Sequence, residues 1–371
     1  MSTRFPGLVN AHTHSAMTFL RSRADDMPLQ SWLTTQVFPF EAKLTEDDVY
    51  WFSKLAILDY LRGGTVCAVD MYLNNSAVAQ AAIDMQFRIS MVGSLNDFGG
   101  TVEEMEEDIL RFNIEHHGSS EFVKFFPGVH AEYTTSPEKI AEVAALAKKY
   151  QMPTFTHLAE TKTEVTECLE RTDKTPVQHL LDCGFWAYGG AGFHCVHLSA
   201  DDIRLMKEND IAAVCCPGSN LKLASGVADL SALEAAGVKI ALGTDGPASN
   251  NALSMFREMY LACVLQKVKH DDAAAMNPEL AFEYATRNGS DLAGVVQDVD
   301  QDFFEVDASL PALQLHSVKK NLVYASDTSV VKSTTVGGVK RYENGEFHLP
   351  NGERVERIYK ECKTRAARIF D

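Results

Sequence analysis

The sequence predicts an α/β fold, a (β/α)8 TIM barrel with a small, incomplete β-rich subdomain at its C-terminal end. Three observations carry this expectation. Eight short apolar runs alternate with longer segments of helical periodicity, the pattern of parallel strands joined by crossover helices. Five of these runs end in histidine, glutamate or aspartate, and strand C-termini form the active face of such a barrel. No GxGxxG follows the first run, which weakens the alternative of an open doubly wound sheet around a dinucleotide.

The expected strands, in order, are Leu8–His14, Thr65–Tyr72, Arg88–Leu95 and Phe122–His130, then Pro153–Leu158, Gly192–Leu198, Ala212–Pro217 and Lys239–Thr244. Between them a 3.6-residue periodicity gives helices over Glu46–Leu61, Val102–Glu115, Pro137–Lys149, Asp201–Glu208 and Ser231–Ala236. Gly63-Gly64, Pro153, Gly189-Gly190 and Gly237 punctuate the joints. Two further helical segments follow, Leu253–Val268 and Pro278–Asn288. Beyond about residue 299 the texture changes to short β-like runs at Phe303–Val306, Leu322–Tyr324 and Ser333–Tyr342. Asn344-Gly345 has the chemistry of a two-residue hairpin turn, and a charged helix closes the chain over Glu353–Arg368. The expected division is therefore a barrel over residues 1–298 and a β-rich segment with its closing helix over 299–371.

Of the 371 residues 46% are hydrophobic, ample for a large core. With 34 basic and 51 acidic side chains the net charge is −17, which argues against nucleic acid and anionic membrane surfaces as partners. Eight cysteines show no CxxC pairing and several lie in apolar runs, as expected of buried, reduced thiols in the cytoplasm. No leader pattern opens the chain and no apolar run approaches 18 residues, so neither export nor a membrane span is expected.

The first strand ends in His12-Thr13-His14, and residues i and i+2 of a strand project to one face, so two imidazoles can share a metal ion. With twelve histidines, chance supplies about 0.4 such pairs, so the spacing alone is weak. The other strand ends add weight. Strand four closes on Gly128-Val129-His130-Ala131-Glu132 and strand five on His157-Leu158-Ala159-Glu160. Strand six carries His194-Cys195-Val196-His197, and strand eight carries Gly243-Thr244-Asp245-Gly246. Imidazoles and a carboxylate together suit a borderline divalent ion, usually zinc.

These motifs, in this order from Pro6 to Gly294, resemble the amidohydrolase superfamily, and within it the aminohydrolase and chlorohydrolase branch that includes S-adenosylhomocysteine/methylthioadenosine deaminases. The resemblance implies a metal-dependent aminohydrolase that removes ammonia from an aminated N-heteroaromatic, such as the adenine nucleosides methylthioadenosine or adenosine. It implies one divalent ion, zinc first with iron, manganese or nickel as alternatives, held by His12, His14, His157 and Asp245. No lysine ends strand four, where two-metal members carry one, so a single-metal site is implied. Glu160 and His194 become the proton-handling and orienting pair, and Asp245 a proton acceptor. Trp32, Glu41 and His130 match substrate-contacting positions, and Ser249 lies in a polar loop beside Asp245. His197 is read as structural. A chlorohydrolase or another nucleobase or pterin aminohydrolase remains an alternative, as does a catalytically silent binding barrel. A homo-oligomer is expected, because few residues precede the first strand and the family's small sandwich would leave an edge to cover.

Members that bind S-adenosylhomocysteine resemble one another in having arginines near the end of strand three, suited to its carboxylate. Here Ser90–Thr101 contains no basic residue, and Arg88 lies at the opposite end of the strand. A missing charged hydrogen bond is worth roughly ten- to a hundredfold in binding. Comparison of kcat/KM is expected to favour adenosine or methylthioadenosine over S-adenosylhomocysteine; the reverse order would refute this.

Overall fold

The computed structural model describes residues 2–23, 25–115, 121–294, 298 and 300–371. Eight parallel strand positions form the barrel. β2 (Leu8–Thr13), β3 (Thr65–Met71), β4 (Arg88–Val92) and β5 (Val123–Phe126) pair in sequence. β6 (Gly128–Ala131), β7 (Thr154–Leu158), β8 (Gly190–His194), β9 (Ile211–Cys215) and β10 (Ile240–Leu242) continue the order. β5 and β6 are one strand position interrupted at Pro127, which has no N–H to give a ladder. β5 pairs with β4 and β6 with β7, so the interruption lets one strand serve both neighbours.

The barrel closes between β10 and β2. The Asp245 N–H donates to the His12 carbonyl at 3.0 Å. Asn10 on β2 takes the Thr244 N–H at 2.9 Å and donates to the Thr244 hydroxyl at 2.7 Å. The strands approach so closely that a Cβ at Gly243 would lie 2.6 Å from the His12 nitrogen; only glycine fits.

A second sheet is antiparallel, in the order β1 (Ser2–Pro6), β11 (Phe303–Asp307), β12 (Val331–Val336), β13 (Val339–Glu343) and β14 (Glu346–Phe347). Ser2–Pro6, counted with the barrel in the expected division, pairs in this sheet, from Ser2 opposite Asp307 to Pro6 opposite Phe303. Only Gly7 separates β1 from β2, so one short segment enters both units. Asn344 and Gly345, both at positive φ, form the two-residue turn between β13 and β14.

Two sequence expectations need correction. Leu322–Tyr324 is the end of a helix, Val318–Tyr324, whose first turn is capped by the Ser317 hydroxyl accepting from the Lys320 N–H. Three consecutive apolar residues fit either period, and the cap decides. The sixth barrel strand stops at His194 rather than Leu198, because His194 and Cys195 turn into the left-handed region with φ of 72° and 52°.

The closing helix, Val355–Phe370, packs against Glu46–Arg62. Arg365 and Arg368 pair with Asp47 and Asp48 in that helix's first turn, and Phe370 lies on Phe40 with ring centres 5.0 Å apart. The C-terminus thereby braces the segment Leu29–Glu41, three short helical pieces that cross the open end of the barrel.

Buried ion pairs join the two units, Lys54 with Glu353 at 2.7 Å and Arg88 with Asp302. Arg88 on β4 grips both carboxylate oxygens of Asp302 through Nε at 3.0 and 3.1 Å, and Asp302 also accepts the Gly337 N–H at 3.0 Å. Asp302→Ala would strand a buried guanidinium, at about 3–5 kcal/mol. Urea unfolding should read a loss of that size, and Arg88→Met combined with Asp302→Leu should recover most of it. An unchanged midpoint in Asp302→Ala would show that the pair does not join the units.

Candidate active site

The alternation of β2 turns His12 and His14 to the barrel axis, where they meet side chains from β7, β8 and the turn after β10. His12 is fully buried with its ring stacked on Phe193 at 3.8 Å between centres, and neither of its nitrogens has a hydrogen-bond partner. The other members are held from behind. The His14 Nδ1 bonds the Met71 carbonyl, and His157 Nδ1 bonds the His130 carbonyl at 2.6 Å. His194 Nδ1 meets Asn220 Oδ1 at 2.8 Å. Asp245 Oδ2 accepts the hydroxyls of Ser219 and Ser249, each at 2.6 Å, while Oδ1 lies 3.1 Å from His14 Nε2 and 3.6 Å from His12 Nε2.

Ligand atoms of His12, His14 and Asp245 lie within 4.8 Å of one another, and so do those of His12, His157 and His194. The structure therefore brings together all four residues expected to hold the ion and adds His194 beside them. A buried imidazole with two orphaned nitrogens is costly unless something occupies the space it faces. The rings of His14 and His157 each spend Nδ1 on a carbonyl and turn Nε2 to the centre, the second layer that orients metal-bound histidines. The donor set fits one divalent ion.

Burial and mutual contacts set the charge of each member of the cluster. Burial and the neighbouring imidazoles hold His12 and His157 well below the ordinary histidine range, so both are neutral. Burial works against the charges on His14 and Asp245, but their mutual hydrogen bond outweighs it. It raises His14 to about 9 and keeps Asp245 well below the usual carboxylate range. Burial raises Glu160, against a partial offset from His194, whose Nε2 is 3.8 Å from Glu160 Oε2. Glu160 also accepts the Ser225 hydroxyl at 3.1 Å. A carboxyl that holds its proton more readily than usual suits a proton donor.

Glu160 reaches the site because the chain turns at Ala159, at φ 48°. The buried Glu164 fixes that turn by accepting the N–H groups of Ala159 and Glu160 at 2.6 and 2.8 Å. His197 is one layer further out, its Nε2 bonded at 2.7 Å to the carbonyl of Ser225.

The cluster forms one end of a cavity of about 460 Å³. Trp32, Glu41 and His130 line it, as does Tyr72, which sequence reasoning missed. The Trp32 indole N–H is buried without a partner. Burial raises the pKa of both Glu41 and Tyr72, which face each other. Ser249, expected among the substrate contacts, is not on this wall; its hydroxyl is used on Asp245 and the Gly246 carbonyl. Ser219 and Asn220 were also missed, although Cys215–Asn220 at the end of strand seven was their signal.

A parallel barrel with imidazoles and a carboxylate gathered at its strand C-termini defines the class of metal-dependent hydrolases. The chain belongs to the amidohydrolase family, whose profile matches residues 3–339. It is 36% identical over 376 residues to the 5-methylthioadenosine/S-adenosylhomocysteine deaminase of Caldanaerobacter subterraneus subsp. tengcongensis, covering 98% of this chain and 86% of that protein. The zinc-bound adenosine deaminase of Xanthomonas campestris superimposes with a TM-score of 0.90 at 30% identity, over 100% of this chain and 86% of that one. Atrazine chlorohydrolase of Arthrobacter aurescens shares the fold, with a TM-score of 0.86 at 19% identity over 98% and 88% of the two chains. No helix among the described residues is long and apolar enough to cross a membrane.

Replacing His12 or His157 with Ala should lower metal content measured by mass spectrometry of the purified protein, since each removes one of few ligands. Full occupancy with retained activity in His157→Ala would show a different ligand set.

Proposed function

We propose that this chain hydrolytically deaminates an adenine nucleoside, with methylthioadenosine or adenosine as substrate and one divalent ion, zinc, as cofactor. The observation that carries the reading is Glu160, a buried carboxyl with raised pKa, facing a cavity between the candidate ion-binding cluster and the polar groups of Trp32, Glu41 and Tyr72. The names of the relatives support the substrate class.

His12, His14, His157 and Asp245 would hold the ion, which when bound supplies Lewis-acid polarisation and brings the pKa of water from about 15.7 to about 7. Asp245, anionic and oriented by two serine hydroxyls, accepts the proton lost by the attacking water. Glu160 donates a proton to the ring nitrogen beside the carbon under attack. His194, its Nδ1 anchored on Asn220, presents Nε2 to the oxygen and stabilises charge as it develops. The C–N bond then breaks as the amino group takes the proton held by Asp245 and leaves as ammonia, while the new hydroxyl gives its proton to Glu160 and becomes the ring carbonyl. Glu41 takes ribose hydroxyls, Trp32 and His130 contact the base, and Ser249 contributes through Asp245.

We place the boundary between barrel and β-rich unit near residue 298, with Ser2–Pro6 reaching across it. The eight free cysteines and the charge of −17 support a cytoplasmic enzyme that acts on a small molecule rather than nucleic acid. A homo-oligomer is our reading of its assembly, which sedimentation would test.

Glu160→Gln should retain metal and fold yet lose roughly a hundred- to ten-thousandfold in turnover, because an amide cannot donate the proton. Ammonia release from a panel of purine nucleosides reads it. Near-normal turnover in this variant would move the proton donor elsewhere, to Glu132 first.

A further inference from the structure

One short helix touches every side chain that the reaction uses to move protons or steady charge. The helix Pro217–Lys222 follows β9 at the open end of the barrel. Its Ser219 hydroxyl donates to Asp245 at 2.6 Å, and Asn220 Oδ1 meets His194 Nδ1 at 2.8 Å. Three residues past its end the Ser225 hydroxyl donates to Glu160 at 3.1 Å, and the Ser225 N–H returns to the Asn220 carbonyl at 2.8 Å. A shift of this helix would therefore reach Asp245, His194 and Glu160 together.

The two ends of the helix are held by different groups. At its start the buried Glu258 accepts the Gly218 N–H at 2.7 Å. At its end stands Lys222, whose ammonium has three donors. It spends them on Asp25 Oδ1 at 2.5 Å, on the Ala248 carbonyl at 3.1 Å and on Asn251 Oδ1. Asn251 closes the ring, its side-chain amide donating to Asp25 Oδ2 at 3.4 Å. Asp25 lies in the connection after β2, Lys222 in that after β9, and Ala248 and Asn251 in that after β10. One cation thus ties three connections together. The side chains of Lys222 and Asp25 are 22% and 33% exposed, and a pair this open to water adds little to folding stability. What it adds is a fixed place for the end of the helix.

We propose that Lys222 is a positioning residue for the deamination, holding Asn220 and Ser225 in register with His194 and Glu160. The proposal rests on the deaminase reading of this site. Lys222 itself is not part of the cavity wall, which at the substrate end is built from Trp32, Glu41, Tyr72 and His130. Its loss should therefore lower turnover and leave substrate binding nearly as it was. Displacing catalytic groups by about 1 Å can cost roughly a hundredfold in rate.

The test measures kcat and KM of the zinc-loaded enzyme on adenosine and methylthioadenosine, with zinc content and melting temperature beside them. Lys222→Met should keep its zinc, and its KM within about threefold, while kcat per bound zinc falls roughly ten- to a hundredfold. Lys222→Arg, which keeps a cation for Asp25, should recover part of that loss. Asp25→Ala removes the tie from the other side and should show a smaller loss of the same kind. It carries the test should Lys222→Met not fold. Ser225→Ala, made alone and in either background, supplies the readout that a general loosening would not move. If Lys222 acts through Ser225, the losses in kcat overlap, and the double variant falls well short of the product of the single ones. Fully multiplicative losses, a change confined to KM, or an unchanged kcat in these variants overturns the proposal alone. No turnover of any adenine nucleoside by the unmodified enzyme overturns the deaminase reading with it.

Discussion

The seam between β2 and β10 is the constraint on which the site depends. One strand brings His12 and His14, the turn after the other brings Asp245, and the hydrogen bond from the Asp245 N–H to the His12 carbonyl sets their register. Asn10 locks it with two bonds to Thr244, and Gly243 permits the approach by having no side chain. A bulkier residue at 243 would separate the strands and with them the carboxylate from the imidazoles. Beyond the seam, Asn250 bridges the Thr244 carbonyl and Glu258, and Glu258 also takes the Gly218 N–H at 2.7 Å. The turns after β9 and β10 are thereby clamped together, and so are Ser219 and Asp245.

The eight strand positions were legible because each is a short apolar run between breakers, and the clustering of His12, His14, His157 and Asp245 was legible because strand periodicity and the histidine and aspartate motifs agreed. What stayed hidden was local. Ala159, His194, Cys195 and Asp245 all adopt positive φ at the ends of β7, β8 and β10, with no glycine to announce it. Such conformations are costly for residues with a Cβ and persist where the surroundings over-determine them. Here the tertiary contacts are visible: Glu164 holds the Ala159 turn, and the Cys195 N–H donates to the Leu158 carbonyl at 3.0 Å. These turns explain why Glu160 faces the cavity and why the sixth strand stops early. Ser2–Pro6 escaped notice for another reason. Its partner, Phe303–Asp307, is some three hundred residues away, and five residues at a terminus carry too short a pattern to indicate a sheet.

The polar groups of the barrel end fall into two sets with opposite states of satisfaction. In the supporting layer Thr13 and Ser15 share hydrogen bonds of 2.9 Å with the Tyr60 hydroxyl, and Asp70 accepts the Ser15 N–H. Asp245, His14, His157 and His194 each have a partner that fixes the atom turned away from the centre. At the centre, His12 has none. The protein's own groups thus orient the donor atoms of the centre. Along the cavity wall the Trp32 indole N–H is likewise without a partner, while Glu41 and Tyr72 face each other. At the barrel's open end a supported ring of side chains thus surrounds an imidazole whose nitrogens have no partner in the protein.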